Sequence, residues 1–264
     1  MSSRIEINGE PPRVEALAQL AQVNYGHFTT LQVRERRAQG FDLHLERLDA
    51  ATRRLFGTPL DGGQVRTWVR RVLDDEPASL RITVFSQAFD REHSERNVPV
   101  DVLVTTGAGR EPLRTPLQVT ACVHERTMPG LKHVGTFDLH ALRREARLAG
   151  SDDVLFTRVD GTIAEGSTWN LGLWDGVRVV WPLAPALDGV TRRLLDLGLR
   201  ECGIESTHRP VRIDELASFS VAFASNTTSP VRPIVALAGH RFANDAAVLG
   251  RIERCIDARP WLPI

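Results

Sequence analysis

Apolar positions in the first part of the chain follow two different spacings. Alternation of apolar and polar residues, with β-branched side chains, predicts strands at residues 5–7, 28–33, 80–85 and 100–105. Between residues 43 and 56 the apolar stripe has helical spacing and stops at Gly57, and residues 63–73 form a second predicted helix. The chain therefore begins with a small α/β unit.

The second part of the chain repeats this mixture of spacings. Strands are predicted at residues 117–123, 153–157, 170–174, 177–180 and 220–224, and helices at 137–148 and 190–202. A polar, glycine- and proline-containing stretch near residue 110 separates the two parts. We therefore expect a mixed α/β (α+β) protein with a small α/β subdomain at 1–107, an interdomain linker at 108–113 and a large subdomain at 114–264, which would bind any cofactor.

Composition narrows the class of protein. The chain has 264 residues, of which 42% are hydrophobic and 25% charged, as in ordinary globular proteins. Its 33 basic and 33 acidic residues balance, so no basic surface for nucleic acid or an anionic membrane is expected. Residues 1–6 lack the apolar core of a signal peptide, and three scattered cysteines suit a reducing compartment. These features predict a cytoplasmic protein with no membrane or nucleic-acid partner.

The basic residues are almost all of one type. All but one of the 33 are arginine, and the exception is Lys132. A guanidinium stays protonated under ordinary conditions, whereas a lysine amine can lose its proton and act as a nucleophile or a base. Lys132 is therefore a candidate catalytic residue, although retention by chance explains the count equally well.

Several common signatures are absent. The sequence contains no phosphate-binding loop with its lysine, no Gly-x-Gly-x-x-Gly at a helix start, no Gly-x-Ser-x-Gly and no His-Glu-x-x-His. The histidines lack convincing metal-ligand spacing, so no metal site is predicted. What remains is Lys132, a turn around Glu165, a helix start at 188–191 that offers amide donors, and a polar turn at 226–228.

These segments, taken in order, resemble the fold-type IV pyridoxal-phosphate enzymes, which include branched-chain and D-amino-acid aminotransferases and aminodeoxychorismate lyase. The matching segments are His44-Leu45-Glu46-Arg47, Leu131-Lys132-His133, Glu165-Gly166-Ser167-Thr168-Trp169-Asn170, Gly189-Val190-Thr191-Arg192 and Asn226-Thr227-Thr228-Ser229. They extend over nearly the whole chain. The resemblance implies a two-subdomain fold, a pyridoxal 5′-phosphate cofactor and a homodimer.

The resemblance also implies residue roles. Lys132 would form the Schiff base and move the proton in amino transfer between an amino acid or amine and a 2-oxo acid. Glu165 would face the pyridine nitrogen of the cofactor. The cofactor phosphate would be bound by Arg47, Val190, Thr191, Asn226 and Thr227.

The substrate side of the site fits the family less well. The chain has a single tyrosine, Tyr25, whereas branched-chain enzymes have a tyrosine-lined pocket, which argues against that assignment. Candidate substrate contacts are Phe28, Thr30, Arg91, His93 and Trp169. Of these, Arg91 and His93 are placed like a carboxylate-binding pair, but they lie in a charge run typical of a solvated loop.

Two alternatives to a transaminase remain open from the sequence. The fragment Leu131-Lys132-His133 and the hydroxyls of Thr29 and Thr30 are similar to features of the lyase, which breaks a carbon–carbon bond and releases pyruvate. A homologue that binds the cofactor without turnover is the remoter alternative.

Overall fold

The computed structural model describes residues 4–264. Met1–Ser3, which begin the segment on which the cytoplasmic prediction rests, lie outside the described residues. The chain divides into two compact units. Unit 1 comprises the residues up to Arg110 together with Leu131–Gly135 and Trp261–Ile264, and unit 2 comprises Glu111–Gly130 and Thr136–Pro260. None of the described helices is long and apolar enough to cross a membrane.

Unit 1 contains a four-stranded antiparallel sheet with strand order β1-β5-β4-β2. Its elements are β1 (Ile5–Ile7), α1 (Val14–Val23), β2 (His27–Val33), β3 (Arg37–Ala38), α2 (Phe41–Phe56), α3 (Gly62–Val72), β4 (Ala78–Phe85), β5 (Asp101–Ala108) and β15 (Leu262–Pro263). Apolar side chains of the sheet, α2 and α3 form its core.

Strand β2 separates two environments. One face carries His27, Thr29 and Leu31, all buried, and the hydroxyl and imidazole groups on this face bond to side chains of α2. Phe28 and Thr30 lie on the opposite face, because side chains alternate along a strand. Helix α2 ends where the sequence predicts, since Gly57 adopts the left-handed conformation that stops a helix.

Unit 2 contains a larger mixed sheet with the order β11-β10-β9-β12-β13-β6-β7-β8, and β14 pairs with β13. Its strands are β6 (Leu117–Val123), β7 (Asp153–Thr157), β8 (Ile163–Gly166), β9 (Asn170–Trp174), β10 (Val179–Pro182), β11 (Ser206–Arg209), β12 (Val221–Ser225), β13 (Arg232–Leu237) and β14 (His240–Arg241). Its helices are α4 (Phe137–Leu148), α5 (Val190–Glu201) and α6 (Ala246–Asp257), with a 3-10 helix at Ile213–Ser218.

Two segments differ from the linear division predicted from the sequence, which placed both in the large subdomain. Leu131–Gly135 belongs to unit 1, because the Lys132 carbonyl accepts a hydrogen bond from Phe28 and the Val134 amide donates to Gly26. Trp261–Ile264 also belongs to unit 1, because β15 pairs with β3. Pairing between segments so distant in the chain leaves no local pattern in the sequence.

Candidate active site

Lys132 lies in unit 1 beside the sheet. Its carbonyl accepts a 2.9 Å hydrogen bond from the Phe28 amide, and His133 forms a bridge to His27, so the segment runs along strand β2. Leu131 anchors the segment by packing against the apolar core of the unit. The lysine is thus held by backbone pairing on both sides while its own side chain is half-buried.

A second cation shares the aromatic neighbour of Lys132. The Nζ of Lys132 lies 4.9 Å from the centroid of the Phe28 ring, and the guanidinium carbon of Arg81 lies 3.6 Å from the same centroid. Arg81 is in β4 directly opposite Thr30, and its Nε donates to Thr83. Although much of Arg81 is exposed, desolvation lowers the pKa of its guanidinium. No described carboxylate pairs with it, so this cation can bind an anion from outside the chain.

Arg47 and His44, both in helix α2, contact the same threonine. The Nη2 of Arg47 donates to Thr29 Oγ1 at 2.5 Å, and Nδ1 of His44 lies 2.6 Å from the same oxygen. Because Thr29 accepts from Arg47, its own hydroxyl proton can serve His44 Nδ1. Thr29 is thus the group at which the side chains of His44 and Arg47 meet.

Both histidines of this region are kept neutral. Burial, and then the charges of Arg47 and Lys132, hold the pKa of His44 well below its usual range. Burial and the charge of Arg47 lower the pKa of His27 to about 3. The Nε2 of His27 lies 3.0 Å from Thr52 Oγ1, whose own proton goes to the Leu48 carbonyl. Neutral His27 therefore donates through Nε2.

Glu165 lies in unit 2, in strand β8 and not in the turn that the sequence indicated. Its Oε1 accepts a 2.7 Å hydrogen bond from Arg126, and its Oε2 accepts a 3.2 Å bond from the Leu187 amide. The side chains of both Arg126 and Glu165 are at least nine-tenths buried. Each carboxylate oxygen still has a second lone pair, so Glu165 can accept a further proton donor.

The same Leu187 peptide joins Glu165 to the start of helix α5. Its amide donates to Glu165, and its carbonyl accepts a 2.9 Å bond from Asn170 Nδ2. Asn170 also touches Gly189 closely, since a Cβ added at Gly189 would lie 2.2 Å from Asn170 Oδ1. The two ends of the Glu165-to-Asn170 motif therefore fix the loop that leads into α5.

Helix α5 begins without a side-chain cap. Its N-cap is Gly189, which makes no side-chain hydrogen bond, and its first turn contains no acidic residue. Val190 and Thr191 are both buried there. The first amides of the helix therefore point their donors, and the positive end of the helix dipole, at a place where an anion is stabilised.

The buried hydroxyl of Ser225 lies on the same face of the sheet as the Asn170 side chain. Ser225 pairs with Asn170 across β12 and β9, so the two side chains share one face. Ser225 is 2% exposed, and its Oγ has no hydrogen-bond partner among the described residues. A buried hydroxyl is usually satisfied, so this one fits a group that the chain itself does not supply.

The polar turn after β12 is shaped by Asn226. Its side-chain Oδ1 accepts hydrogen bonds from the backbone amides of Thr228 and Ser229, and its backbone amide donates to the Ser229 carbonyl. These bonds fix the turn that carries Asn226 and the half-buried Thr227, and the cofactor-binding role predicted for both residues stays a prediction. Taken with Ser225 and the start of α5, the donors of unit 2 fit a phosphate, and Glu165 fits a protonated ring nitrogen.

The predicted substrate residues have varied surroundings. Phe28 is buried against the two cations, and Thr30 is half-buried opposite Arg81. Trp169 is part of the apolar core of unit 2, and its ring packs so closely on Gly166 that a Cβ there would lie 2.0 Å away. Its surroundings are therefore those of a core tryptophan.

Arg91 and His93, predicted as a pair that binds a carboxylate, do not bond to each other in their described contacts. Arg91 donates to the Gln22 carbonyl, and the His93 ring lies 3.8 Å from the Glu95 carboxylate. Both residues are exposed in a loop rich in charge. These contacts do not support a carboxylate clamp in that loop.

Unit 1 also contains a cavity of about 280 Å³. Its lining includes Arg36, Arg70 and Ile264, and none of the lining residues is a predicted site residue. Two of its arginines are occupied, since Arg36 donates to carbonyls at the end of α3 and Arg70 donates to the Ile264 carbonyl.

Solved structures share this fold over almost the full chain. A hypothetical aminotransferase from Mycobacterium tuberculosis in its PLP-bound form is 20% identical, with 97% of this chain and 98% of that chain covered and a TM-score of 0.79. A branched-chain aminotransferase from Thermoproteus uzoniensis, solved with norvaline, is 19% identical, with 96% and 94% covered and a TM-score of 0.82. The fold is therefore that of fold-type IV pyridoxal-phosphate enzymes, which confirms the predicted fold class.

Sequence comparison defines the family. The family described as amino-transferase class IV matches residues 26–237, and the chain belongs to it. Membership confirms the predicted family and its cofactor, pyridoxal 5′-phosphate. A probable branched-chain-amino-acid aminotransferase from Aquifex aeolicus is 27% identical over 117 residues, which are 43% of this chain and 38% of that protein. The alignment thus spans less than half the length of this curated relative.

Sequence reasoning missed two residues, Arg81 and Arg126, which contact Phe28 and Glu165 respectively. Nothing distinguishes them in a chain where nearly every cation is arginine. Thr29 was considered only for its similarity to a hydroxyl of the lyase, and its described side-chain contacts are with Arg47 and His44.

Proposed function

We propose that this chain is a pyridoxal-phosphate-dependent transaminase that moves an amino group between an amino acid or amine and a 2-oxo acid. The observation that carries the proposal is the Leu187 peptide, which ties the buried Glu165 carboxylate to the uncapped start of α5. This arrangement supports a site with an acceptor for a ring nitrogen and donors for a phosphate within one unit. Lys132 would supply the amine.

Each residue would have a distinct task. Glu165 would accept a hydrogen bond from the protonated ring nitrogen and keep the proton there, and Arg126 would hold that carboxylate in position. The amides of Val190 and Thr191, with the hydroxyls of Thr191, Ser225 and Thr227, would bind the phosphate. When bound, pyridoxal phosphate supplies an electron-withdrawing ring that stabilises charge developing on the substrate carbon.

Residues of unit 1 would handle the phosphate charge and the proton. Arg47, oriented by Thr29, would bind the phosphate through its guanidinium. Lys132 would hold the cofactor through Nζ until a substrate amine replaces it, and would then carry a proton on Nζ during amino transfer. Neutral His44 avoids a further positive charge near these two cations.

The lysine assignment has a direct test. Purified holoenzyme should absorb near the visible edge, and borohydride should abolish the band and leave one reduced cofactor attached to residue 132. Lys132→Ala should lose both the band and the attachment, and Lys132→Arg serves as a charge-retaining control. Because Lys132 is the single lysine, attachment at the N-terminal amine, or a band that survives in Lys132→Ala, would contradict the assignment.

Arg81 bears on the substrate. A guanidinium without a described carboxylate partner, beside the same ring as Lys132, supports a substrate that carries a carboxylate. Arg81→Met should raise the KM for a 2-oxo acid by roughly tenfold or more, since hydrogen bonds to charged groups contribute about 1.5–3 kcal/mol. The KM for a simple amine without a carboxylate should stay unchanged, and an equal rise for both substrates would contradict this role.

One assay separates the transaminase from the lyase. Obligatory dependence on an oxo-acid acceptor with ping-pong kinetics indicates amino transfer, whereas pyruvate release without an acceptor indicates carbon–carbon cleavage. The structure removes part of the support for a lyase, because the Thr29 hydroxyl is engaged by Arg47 and His44. Cofactor binding without turnover of a broad amine panel would instead indicate a non-catalytic homologue.

The proposal also includes a cytoplasmic homodimer. Support comes from the family resemblance and from three free cysteines, which suit a reducing compartment. Light scattering on purified holoenzyme should give twice the mass of one chain, and a monomer with full activity would contradict the dimer. Cell fractionation tests the compartment.

A further inference from the structure

Helices α5 and α6 approach each other closely at one glycine. A Cβ added at Gly198 would lie 2.2 Å from the backbone oxygen of Cys255 and 3.5 Å from its Cβ. Any larger side chain at position 198 would push the helices apart, so Gly198 permits this contact. Cys255 therefore faces α5 at the level of its last turns.

A second cysteine stands one turn further along α5. Cys202 is the C-cap of the helix, and its backbone amide donates to the carbonyls of Gly198 and Arg200. Residues four apart lie on the same helix face, so Cys202 follows Gly198 toward α6. Besides burial, the Cys202 thiol contributes to raising the pKa of the Cys255 thiol, as expected of neighbouring side chains, and both cysteines are free.

The two thiols differ in their access to solvent. Cys202 is exposed, whereas Cys255 is 1% exposed and its Sγ lies 3.2 Å from the Arg251 carbonyl. Cys202 can therefore react with a dissolved oxidant, whereas Cys255 is shielded from solvent. This is the arrangement in which a first oxidised thiol is resolved by a neighbour within the same chain.

We propose that Cys202 and Cys255 form an oxidation site that closes to an intramolecular disulfide on reaction with a hydroperoxide such as hydrogen peroxide. The Cys202 thiolate attacks a peroxide oxygen, the O–O bond breaks, and a sulfenic acid and water form. The Cys255 sulfur then attacks the Cys202 sulfur, and the hydroxide that leaves takes the Cys255 proton as water. Two thiols are oxidised, one peroxide is reduced and two waters are released.

The order of the two steps follows from the surroundings of each sulfur. Burial, and then the Cys202 thiol, raise the pKa of the Cys255 thiol to about 12. Cys255 therefore remains a thiol at neutral pH and does not react first with the oxidant. Its sulfur is instead placed to resolve the oxidised Cys202.

The disulfide would fasten the end of α5 to α6. It would close a long loop of chain, and cross-links across long loops restrict the unfolded state strongly. The inference concerns the chain alone and does not rest on the proposed function, so either can fail without the other.

The test is a thiol count on holoenzyme treated with hydrogen peroxide and then denatured. Titratable thiols should fall from three to one, the mass should decrease by two hydrogens, and digestion should give a peptide pair linking residues 202 and 255. The protein should stay a single chain on a non-reducing gel. Its unfolding temperature should rise by several degrees, and dithiothreitol should reverse every change.

Three variants complete the experiment. Cys122→Ser should still lose two thiols, because Cys122 lies in β6 and takes no part. Cys202→Ser, an exposed change, should abolish the mass loss and the rise in unfolding temperature, and Cys255→Ala should let Cys202 proceed to added oxygen atoms. Retention of all three thiols, or oxygen addition at Cys202 of the wild-type chain with Cys255 unchanged, would overturn the proposal.

Discussion

Arg126 donates a 2.7 Å hydrogen bond to Glu165, and both side chains are almost entirely buried. A buried ion pair of this kind is costly to break by removing one partner, because the other charge is then left without compensation. The pair therefore links the electrostatics of the site to the stability of unit 2.

Removal of the guanidinium should show that link. Arg126→Met should lower the free energy of unfolding of the apoprotein by about 3 kcal/mol, as expected for an unpaired buried charge. Arg126→Met combined with Glu165→Gln should cost less than the sum of the two single changes, since no charge is then left unpaired. Urea unfolding of the four proteins measures the coupling, and additive costs would show that the two side chains act independently.

Glu165→Gln should separate catalysis from cofactor binding. If Glu165 keeps the ring nitrogen protonated by accepting its hydrogen bond, loss of its charge should slow turnover by about 100-fold or more, as expected when an electrostatic contact to developing charge is lost. The dissociation constant of pyridoxal phosphate should rise by less than about tenfold, because the phosphate donors are unchanged. Glu76→Gln, at an exposed position, should alter neither quantity. Equal losses of turnover and of cofactor affinity would contradict this separation of catalysis from cofactor binding.

The contact between Asn170 and Gly189 gives a steric test of the phosphate site. Gly189 has ordinary backbone angles, so Gly189→Ala should act only through its Cβ, which would lie 2.2 Å from Asn170 Oδ1. We expect weaker binding of pyridoxal phosphate, and a partial recovery when Asn170→Ala is added. Fluorescence titration of the apoproteins measures both, and a double variant worse than either single change would show that no clash is relieved.

Local structure was largely predictable from the sequence, and long-range pairing was not. The strand at 153–157 and the helix at 137–148 were predicted with their observed bounds, because each has a clear apolar period and a polar or glycine boundary. Helices α1 and α6 were missed, and so was strand β13. The sequence predicts a turn where β8 lies, because the four residues of this strand, Ile163–Gly166, are too few to show a period.

The candidate site shows the same division. Lys132 was recognised as the solitary lysine, and Glu165 by its place in an ordered set of segments. Arg126 and Arg81 were not, because one arginine among so many carries no signal until the fold puts it beside a carboxylate or an aromatic ring. The identity of the partner, and not the identity of the residue, decides the role in such cases.

Thr29 should act on the phosphate through Arg47. Thr29→Val keeps the volume of the side chain but removes the oxygen that Arg47 and His44 share, so cofactor affinity should fall by about tenfold, and stability by about 1–3 kcal/mol. Thr29→Ser retains the hydroxyl and should restore most of the affinity. Phosphate-site occupancy is followed by the ³¹P resonance of bound cofactor, and equal behaviour of the valine and serine variants would show that the oxygen is not needed.

Acid should destabilise unit 1 through its buried histidines. Burial lowers the pKa of His27 to about 3 in the folded chain and lowers the pKa of His44 as well, whereas both regain an ordinary value of about 6.5 on unfolding. Below that value the unfolded chain binds protons that the folded chain does not, so stability should fall as the pH falls from about 6.5 toward 3. Each histidine contributes at most about 1.4 kcal/mol per pH unit in this range.

A matched pair of variants isolates this effect from the titration of carboxylates. His27→Gln should make the fall in unfolding free energy between pH 6.5 and 4.5 shallower by close to one proton, because Gln does not titrate. His93→Gln, at an exposed position, is the control substitution, and its slope should match that of the wild-type chain. Urea unfolding at a series of pH values measures the slopes, and identical slopes for the wild-type chain and His27→Gln would mean that His27 takes up its proton without unfolding.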